Sequence, residues 1–247
     1  MRNGKNVVYD AHGKQKKDEA VPDCNAECRI FDRLLSGRYS CRAFRPNLVP
    51  KSTILKILRL AQKTASWNNV QPWQVHITSG AETERFASTL QEAVHTEPHV
   101  SDFEWPSAYH GVYRDRRRAC GFGLYAAVGI ARGDREASAR QTAENFKFFG
   151  APHVAIITSD SAIGVYGAID CGAYVSNFML AAHSLNIATI AQGAIASRSQ
   201  AVRKHFGMSD DRKVVCGISF GFADESHPAN AFRTTRADLN EVVAWLE

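Results

Sequence analysis

Arg38, Ser40 and Arg42 occupy alternate positions in the run SGRYSCRAF, just past a helical pattern. In an extended chain, residues two apart project to the same side, so two guanidiniums and a hydroxyl converge. Forked cationic donors of this kind suit a phosphate or the carbonyl-rich edge of a ring system. A second basic group lies near the C-terminus. There Arg233 and Arg236 flank two threonines in FRTTR, with no acidic neighbour before Asp238. The competing reading for both groups is that they are solvated surface arginines.

Two further stretches have the composition of a binding site. SWNNVQPW, from Ser66 to Trp73, packs amides and tryptophans between a helical and a strand pattern. Amides both donate and accept, as the edge of a heterocycle with alternating C=O and N–H groups requires. An Asn-rich turn accounts for Asn68 and Asn69, but less well for Gln71 and the tryptophans. AQGAIAS, from Ala191 to Ser197, follows a strand pattern, and its small residues would admit a planar ligand close to the backbone. The run RDRRR from Arg114 to Arg118 reads as one exposed helix face, with contact to substrate as the lesser alternative.

Other chemistries lack their motifs. There is no Gly-x-Gly-x-x-Gly after a strand, no Walker loop and no Gly-x-Ser-x-Gly elbow. His95 and His99 have metal-ligand spacing but lie in a polar, Pro-containing stretch, and no metal site is expected. Cys24 and Cys28 form a CxxxC pair without a second pair at zinc spacing; the six cysteines are expected to be reduced thiols in a cytoplasmic protein.

Several elements must position these groups. Phe31, Leu34 and Leu35 share one helix face closed by Gly37, and residues 53–64 form a second helix with Ile54, Ile57, Leu58 and Ala61 as its stripe. Strands are expected over residues 73–78, 153–158, 187–190 and 214–220. Helices are expected over residues 113–130, 136–148, 169–185, 199–206 and 239–245. The helix at 169–185 is small or apolar nearly all round, so it should be covered on most sides, and a subunit interface could supply the cover. Helices and strands mix without a strict βαβ rhythm, which gives an α+β fold. Residues 1–29 lack apolar periodicity and read as a mobile N-terminal extension to one domain over residues 30–247.

A chain of 247 residues with 45% apolar and 22% charged residues can bury one substantial core. No run approaches the roughly 18 apolar residues of a membrane helix, and the polar N-terminus is no secretory signal. A net charge of +5 suits an anionic small molecule, and no aromatic-basic pattern points to nucleic acid.

Taken in order, the motifs resemble those of the FMN-dependent nitroreductase family. RYSCRAF (Arg38 to Phe44) is similar to that family's RRSxRxF opening, and SWNNVQPW to its SxxNxQPW segment. NFKFFGAP (Asn145 to Pro152), AQG, GISFGFAD and FRTTR follow in the same order, so the resemblance runs from about Phe31 to the C-terminus. Tyr39 and Cys41 depart from the commonest pattern without removing a phosphate donor.

The resemblance implies an α+β core with a mixed, mainly antiparallel sheet flanked by helices. It also implies an interlocked homodimer with FMN at the subunit interface. Arg38, Tyr39, Ser40 and Arg42 are then expected at the FMN phosphate, ribityl chain and pyrimidine edge, with Arg233 and Arg236 joining the phosphate. Ser66, Asn69 and Gln71 are expected to reach the partner's flavin. Asn145 and Lys147 are expected on the pyrimidine side, and Gln192 and Gly193 alongside the ring near N5. The implied activity is NADH- or NADPH-driven, ping-pong, two-electron reduction of nitroaromatic or related planar acceptors, with no catalytic side chain. A dehydrogenase or dehalogenase of the same fold, or a flavin-binding dimer without turnover, are the alternatives. The variable region from about Leu90 to Tyr125 is expected to supply a lid; its aromatic residues could stack a planar substrate, with core packing as their more common use.

Overall fold

A computed structural model describes residues 24–246, and most of the expected extension over residues 1–29 lies outside them. The chain divides between Ser36 and Gly37 into two units. The first contains nearly all of helix α1 (Ala26–Gly37), which begins inside the expected extension. Cys24 and Cys28, expected as thiols, are joined by a disulfide with Cα atoms 5.4 Å apart. A spacing of four residues across a helix start brings the two within bridging reach.

In the second unit, Pro50 lies at the N-cap of α2 (Lys51–Ala61), and Ile54, Ile57 and Ala61 bury one stripe. Strand β1 (Gln74–Ser79) leads into α3 (Ala81–Thr96), a helix the sequence reading passed over. Its Thr83, Phe86, Leu90 and Ala93 recur at helical spacing and are buried. Helices α4 (Gly111–Ala127) and α5 (Arg135–Ala143) follow. The helix expected to continue to residue 148 stops at Ala143 and gives way to a 3-10 segment, where Phe148 and Phe149 take positive φ values of 57° and 54°. Both rings are buried, so packing overrides the helical preference.

Strand β2 (His153–Asp160), helix α6 (Gly164–Ser184), strand β3 (Ala188–Gln192), the single turn α7 (Gly193–Ala196), helix α8 (Ser199–Phe206) and strand β4 (Arg212–Gly221) complete the unit. The sheet has the order β1-β2-β4-β3, every pairing antiparallel. A parallel bridge from Ser40 to Thr189 adds the mixed element at the β3 edge. Alternation along β2 feeds two cores. Val154 and Ile156 face a cluster with Phe86, Leu90, Phe148 and Val202, whereas Ala155 and Ile157 face Ile57, Trp73, Tyr174 and Phe178. A bulge between β2 and β4 near Thr158 shifts the parity, so that Val214 joins the first cluster while Ile218 and Phe220 join the second.

Helix α6 buries one face, with Cys171, Tyr174 and Phe178, but leaves Val165 63% and Ile169 60% exposed. The described residues of one chain cover one side of it, so further cover has to come from outside them. One expectation needs correction: at residues 239–245 only a 3-10 turn, Leu239–Glu241, forms. Val242 and Trp245 stand in solvent, and a short segment without buried apolar contacts has little to hold it helical.

Candidate functional site

The site is built along the free edge of β3. Ser40 bridges Thr189, and the Cys41 N–H donates to the Thr189 carbonyl at 3.0 Å, which holds Arg38 to Arg42 extended beside the strand. Asn230, a residue the sequence reading missed, fixes the far end. It is buried, accepts from the Arg42 N–H at 2.7 Å, and donates to the carbonyls of Ala43 and Asp224, each at 2.8 Å. An isolated Asn carries no motif; only the fold shows that its amide closes this loop.

Arg38, Tyr39, Arg233 and Arg236 form one group. The Arg233 guanidinium carbon lies 3.7 Å from the centroid of the Tyr39 ring, a close cation–π contact, and its Nη1 donates to the Asn230 carbonyl at 2.6 Å. Burial and the neighbouring Arg236 push the Arg38 pKa down. Burial raises the Tyr39 hydroxyl. Among the described residues, Arg236 donates to Thr234 and Thr235. Arg236 lies close enough to disfavour the charge on Arg38, and although Glu225 lines the same hollow as Arg38, guanidiniums brought this near suit a multiply charged anion.

Arg42 belongs to a different hollow. It lines a cavity of about 220 Å³ with Asn145, Gln192 and Gly193 below and Gly121, Leu124, Tyr125 and Gln141 around it. The expected convergence of Arg38 and Arg42 is therefore not realised in a common cavity: Arg38 and Tyr39 line a neighbouring one with Arg45 and His183. Burial lowers the Arg42 pKa, and its Nη1 donates to the Ser40 carbonyl at 3.1 Å. A half-buried guanidinium with one neutral acceptor has donors to spare for a ligand.

Gln192 is buried, and both ends of its side-chain amide are engaged within the protein. Its Nε2 donates to the Asn145 carbonyl at 2.8 Å, and its Oε1 accepts from the Ser219 hydroxyl. Its backbone and Gly193 form the cavity wall. A Cβ at Gly193 would have no neighbour within 4 Å, so the backbone faces open space that a ring can occupy. Lys147 is exposed and held by Glu144 at 2.7 Å. Ser66, Asn69 and Gln71 form their own knot: the Gln71 N–H donates to Ser66 Oγ at 2.9 Å, and its amide to Asn69 Oδ1 at 3.1 Å. No hydrogen bond among the described residues joins that knot to Arg38, Arg42 or Arg236. Of the lid aromatics, Tyr125 lines the cavity. Helix α4 is held close by Gly123, where a Cβ would stand 2.6 Å from the Phe232 ring.

The architecture is thus that of an α+β protein in which the edge of an antiparallel sheet presents arginines and an open backbone wall to an anionic, planar ligand. The chain belongs to the Nitroreductase family, whose model matches residues 35–222. It is 38% identical over 216 residues to nitroreductase NfnB of Mycolicibacterium smegmatis, covering 87% of this chain and 92% of that protein. It is 31% identical to a 4-nitrobenzoate reductase of Pseudomonas putida, covering 83% and 91%. The crystal structure of the FMN-dependent nitroreductase NfnB from Mycobacterium smegmatis in complex with NADPH superposes with a TM-score of 0.85 at 36% identity, covering 90% of this chain and all of that one.

Proposed function

We propose that the protein is an FMN-dependent oxidoreductase that uses NADH or NADPH to reduce nitroaromatic or related planar acceptors. The observation that carries the reading is the closeness of Arg236 to the half-buried Arg38 together with the open wall at Gly193, alongside relatives described as FMN-dependent nitroreductases. These residues fit an FMN: one end of the site offers cations to a phosphate, and the other offers space and amide groups to a flat ring. FMN held there would supply the redox chemistry, carrying two electrons between a nicotinamide and the acceptor.

The chain's own residues bind and orient. Arg38 and Arg236, with Arg233 braced on Tyr39, hold the phosphate; Ser40 and Arg42 hold the ribityl chain and pyrimidine edge. Asn145, positioned by Gln192, adds polar atoms on the same side, where Lys147 contributes positive potential. The backbone of Gln192 and Gly193 lies along the ring. Leu124 and Tyr125 of α4 restrict water above the cavity, which strengthens every hydrogen bond made inside it.

The reading includes a homodimer. The exposed apolar face of α6 supports it, because Val165, Tyr166 and Ile169 stand exposed among the described residues. Ser66, Asn69 and Gln71 then serve the partner's flavin, consistent with their separation from Arg42. No helix among the described residues is long and apolar enough to cross a membrane. The cytoplasm is the proposed location, and residues 1–29 are proposed as an appendage outside the catalytic domain.

The test is flavin content. Purified Arg38→Ala and Arg236→Ala variants should each lose FMN during gel filtration and rebind it at least tenfold more weakly than the wild type. Full flavin occupancy in both would remove the phosphate site from the account.

A further inference from the structure

Helix α4 has two working faces. Arg116, Ala119 and Cys120 turn towards the segment containing Phe232 and Arg236, and Arg116 pairs with Glu241 at 2.8 Å. Gly121, Leu124 and Tyr125 turn the opposite way, onto the cavity beside Gly193. At 3.6 residues per turn, Arg114, Arg117 and Arg118 extend this second face towards the helix N-terminus. All three are exposed, as the charge run implies. The face they lie on, however, is the one that roofs the cavity.

These three guanidiniums carry little internal neutralisation. Arg114 reaches Asp115 at 3.3 Å across the exposed surface, and Arg117 lies 5.2 Å from the centroid of the Tyr109 ring. Arg118 makes no ion pair among the described residues. Concentrating like charges on one helix face is unfavourable unless a counter-charge visits it.

We infer that Arg114, Arg117 and Arg118 form the subsite for the 2′-phosphate of NADPH and thereby set preference for NADPH over NADH. The inference rests on the proposed nicotinamide-driven reaction and adds the donor's identity to it. The rise of an α-helix places Arg118 about 5 Å and Arg114 about 10 Å along the axis from Gly121. A ligand that reacts in the cavity and bears an anion at this stripe must be long. The carboxylate of a nitrobenzoate lies within one ring of its reacting group and stays inside the cavity. A dinucleotide can place its nicotinamide against the Gly193 wall and its adenosine end outside, where a dianionic phosphate meets forked donors.

The binding test does not require turnover. Titration calorimetry with 2′-phospho-ADP-ribose and with ADP-ribose should show at least tenfold tighter binding of the former by the FMN-loaded wild type. The difference should fall below threefold in an Arg117→Ala/Arg118→Ala variant. Equal binding of both probes by the wild type, or an undiminished difference in the variant, would overturn the inference. Steady-state kinetics gives the second readout: the kcat/KM ratio of NADPH to NADH should drop at least tenfold in the variant. A ratio that does not move, both donors weakening together included, would also overturn it. If 2′-phospho-ADP-ribose binds selectively but neither nucleotide reduces the flavin, the proposed reaction fails and this subsite stands.

Discussion

Gln192 Nε2 donates to the main-chain oxygen of Asn145 at 2.8 Å, tying the last residue of β3 to the turn after α5. Through this bond one buried side chain sets the spacing between two walls of the candidate site. With its other end it accepts from Ser219 on β4, so the cavity geometry is continuous with the centre of the sheet.

Replacing Gln192 by Leu leaves the Asn145 carbonyl and the Ser219 hydroxyl without this partner in a buried setting. The expected cost is roughly 1–3 kcal/mol in denaturant unfolding, accompanied by weaker FMN retention. A variant with unchanged midpoint and unchanged flavin content would show that the bond positions nothing.

A buried ion pair contributes to the response to acid. Arg203 Nη1 lies 2.5 Å from Asp102 Oδ2, and the Val214 N–H donates to the same oxygen at 2.8 Å. Burial alone would raise the Asp102 pKa, but the bonds from Arg203 and Val214 outweigh it and hold the carboxyl below its usual range. A depressed folded-state pKa stabilises above the unfolded value, near 4, and that contribution is lost as pH falls through the folded value. Stability should therefore be flat in this respect from about pH 5 to 8 and decline below about pH 4. Asp102→Asn should abolish this part of the acid dependence and cost about 3 kcal/mol at neutral pH, by leaving Arg203 unpaired. An Asn variant with the wild-type acid profile would contradict the assignment.

Thiol chemistry separates the cysteines. Burial pushes Cys41 up to about 11 and Cys171 and Cys216 up to about 12, whereas Cys120 lines an open hollow. In native protein near neutral pH, a thiol reagent should label Cys120 first and the other three slowly. After denaturation without reductant, four thiols should titrate if the Cys24–Cys28 bridge persists in the isolated protein, and six once it is reduced. Six without reductant, in protein taken rapidly from cells, would restore the expectation of reduced cysteines and favour the cytoplasm.

Legibility in the sequence followed burial and periodicity. The strand at 153–158 and the helix at 199–206 announced themselves because each is bounded by turn residues and packs as its pattern demands. Helix α3 was legible in principle through Phe86, Leu90 and Ala93, but their stripe is diluted by Glu, Thr and Gln. The ends of α5 and of the C-terminal segment were not legible, because tertiary packing or its absence decides them. At the site, the residue types were readable while their partition was not. Arg38 and Arg42 differ in which hollow they enter because Cys41 and Asn230 fix the backbone between and after them, and no spacing rule encodes that.

The measurement that tests the central claim most directly is the visible absorption spectrum of the purified protein, followed anaerobically by NADPH and then NADH. The account predicts an oxidised flavin spectrum that bleaches with NADPH and recovers when a nitroarene is added. A protein that holds no flavin after reconstitution with excess FMN, or whose flavin stays oxidised with both nucleotides, would contradict it.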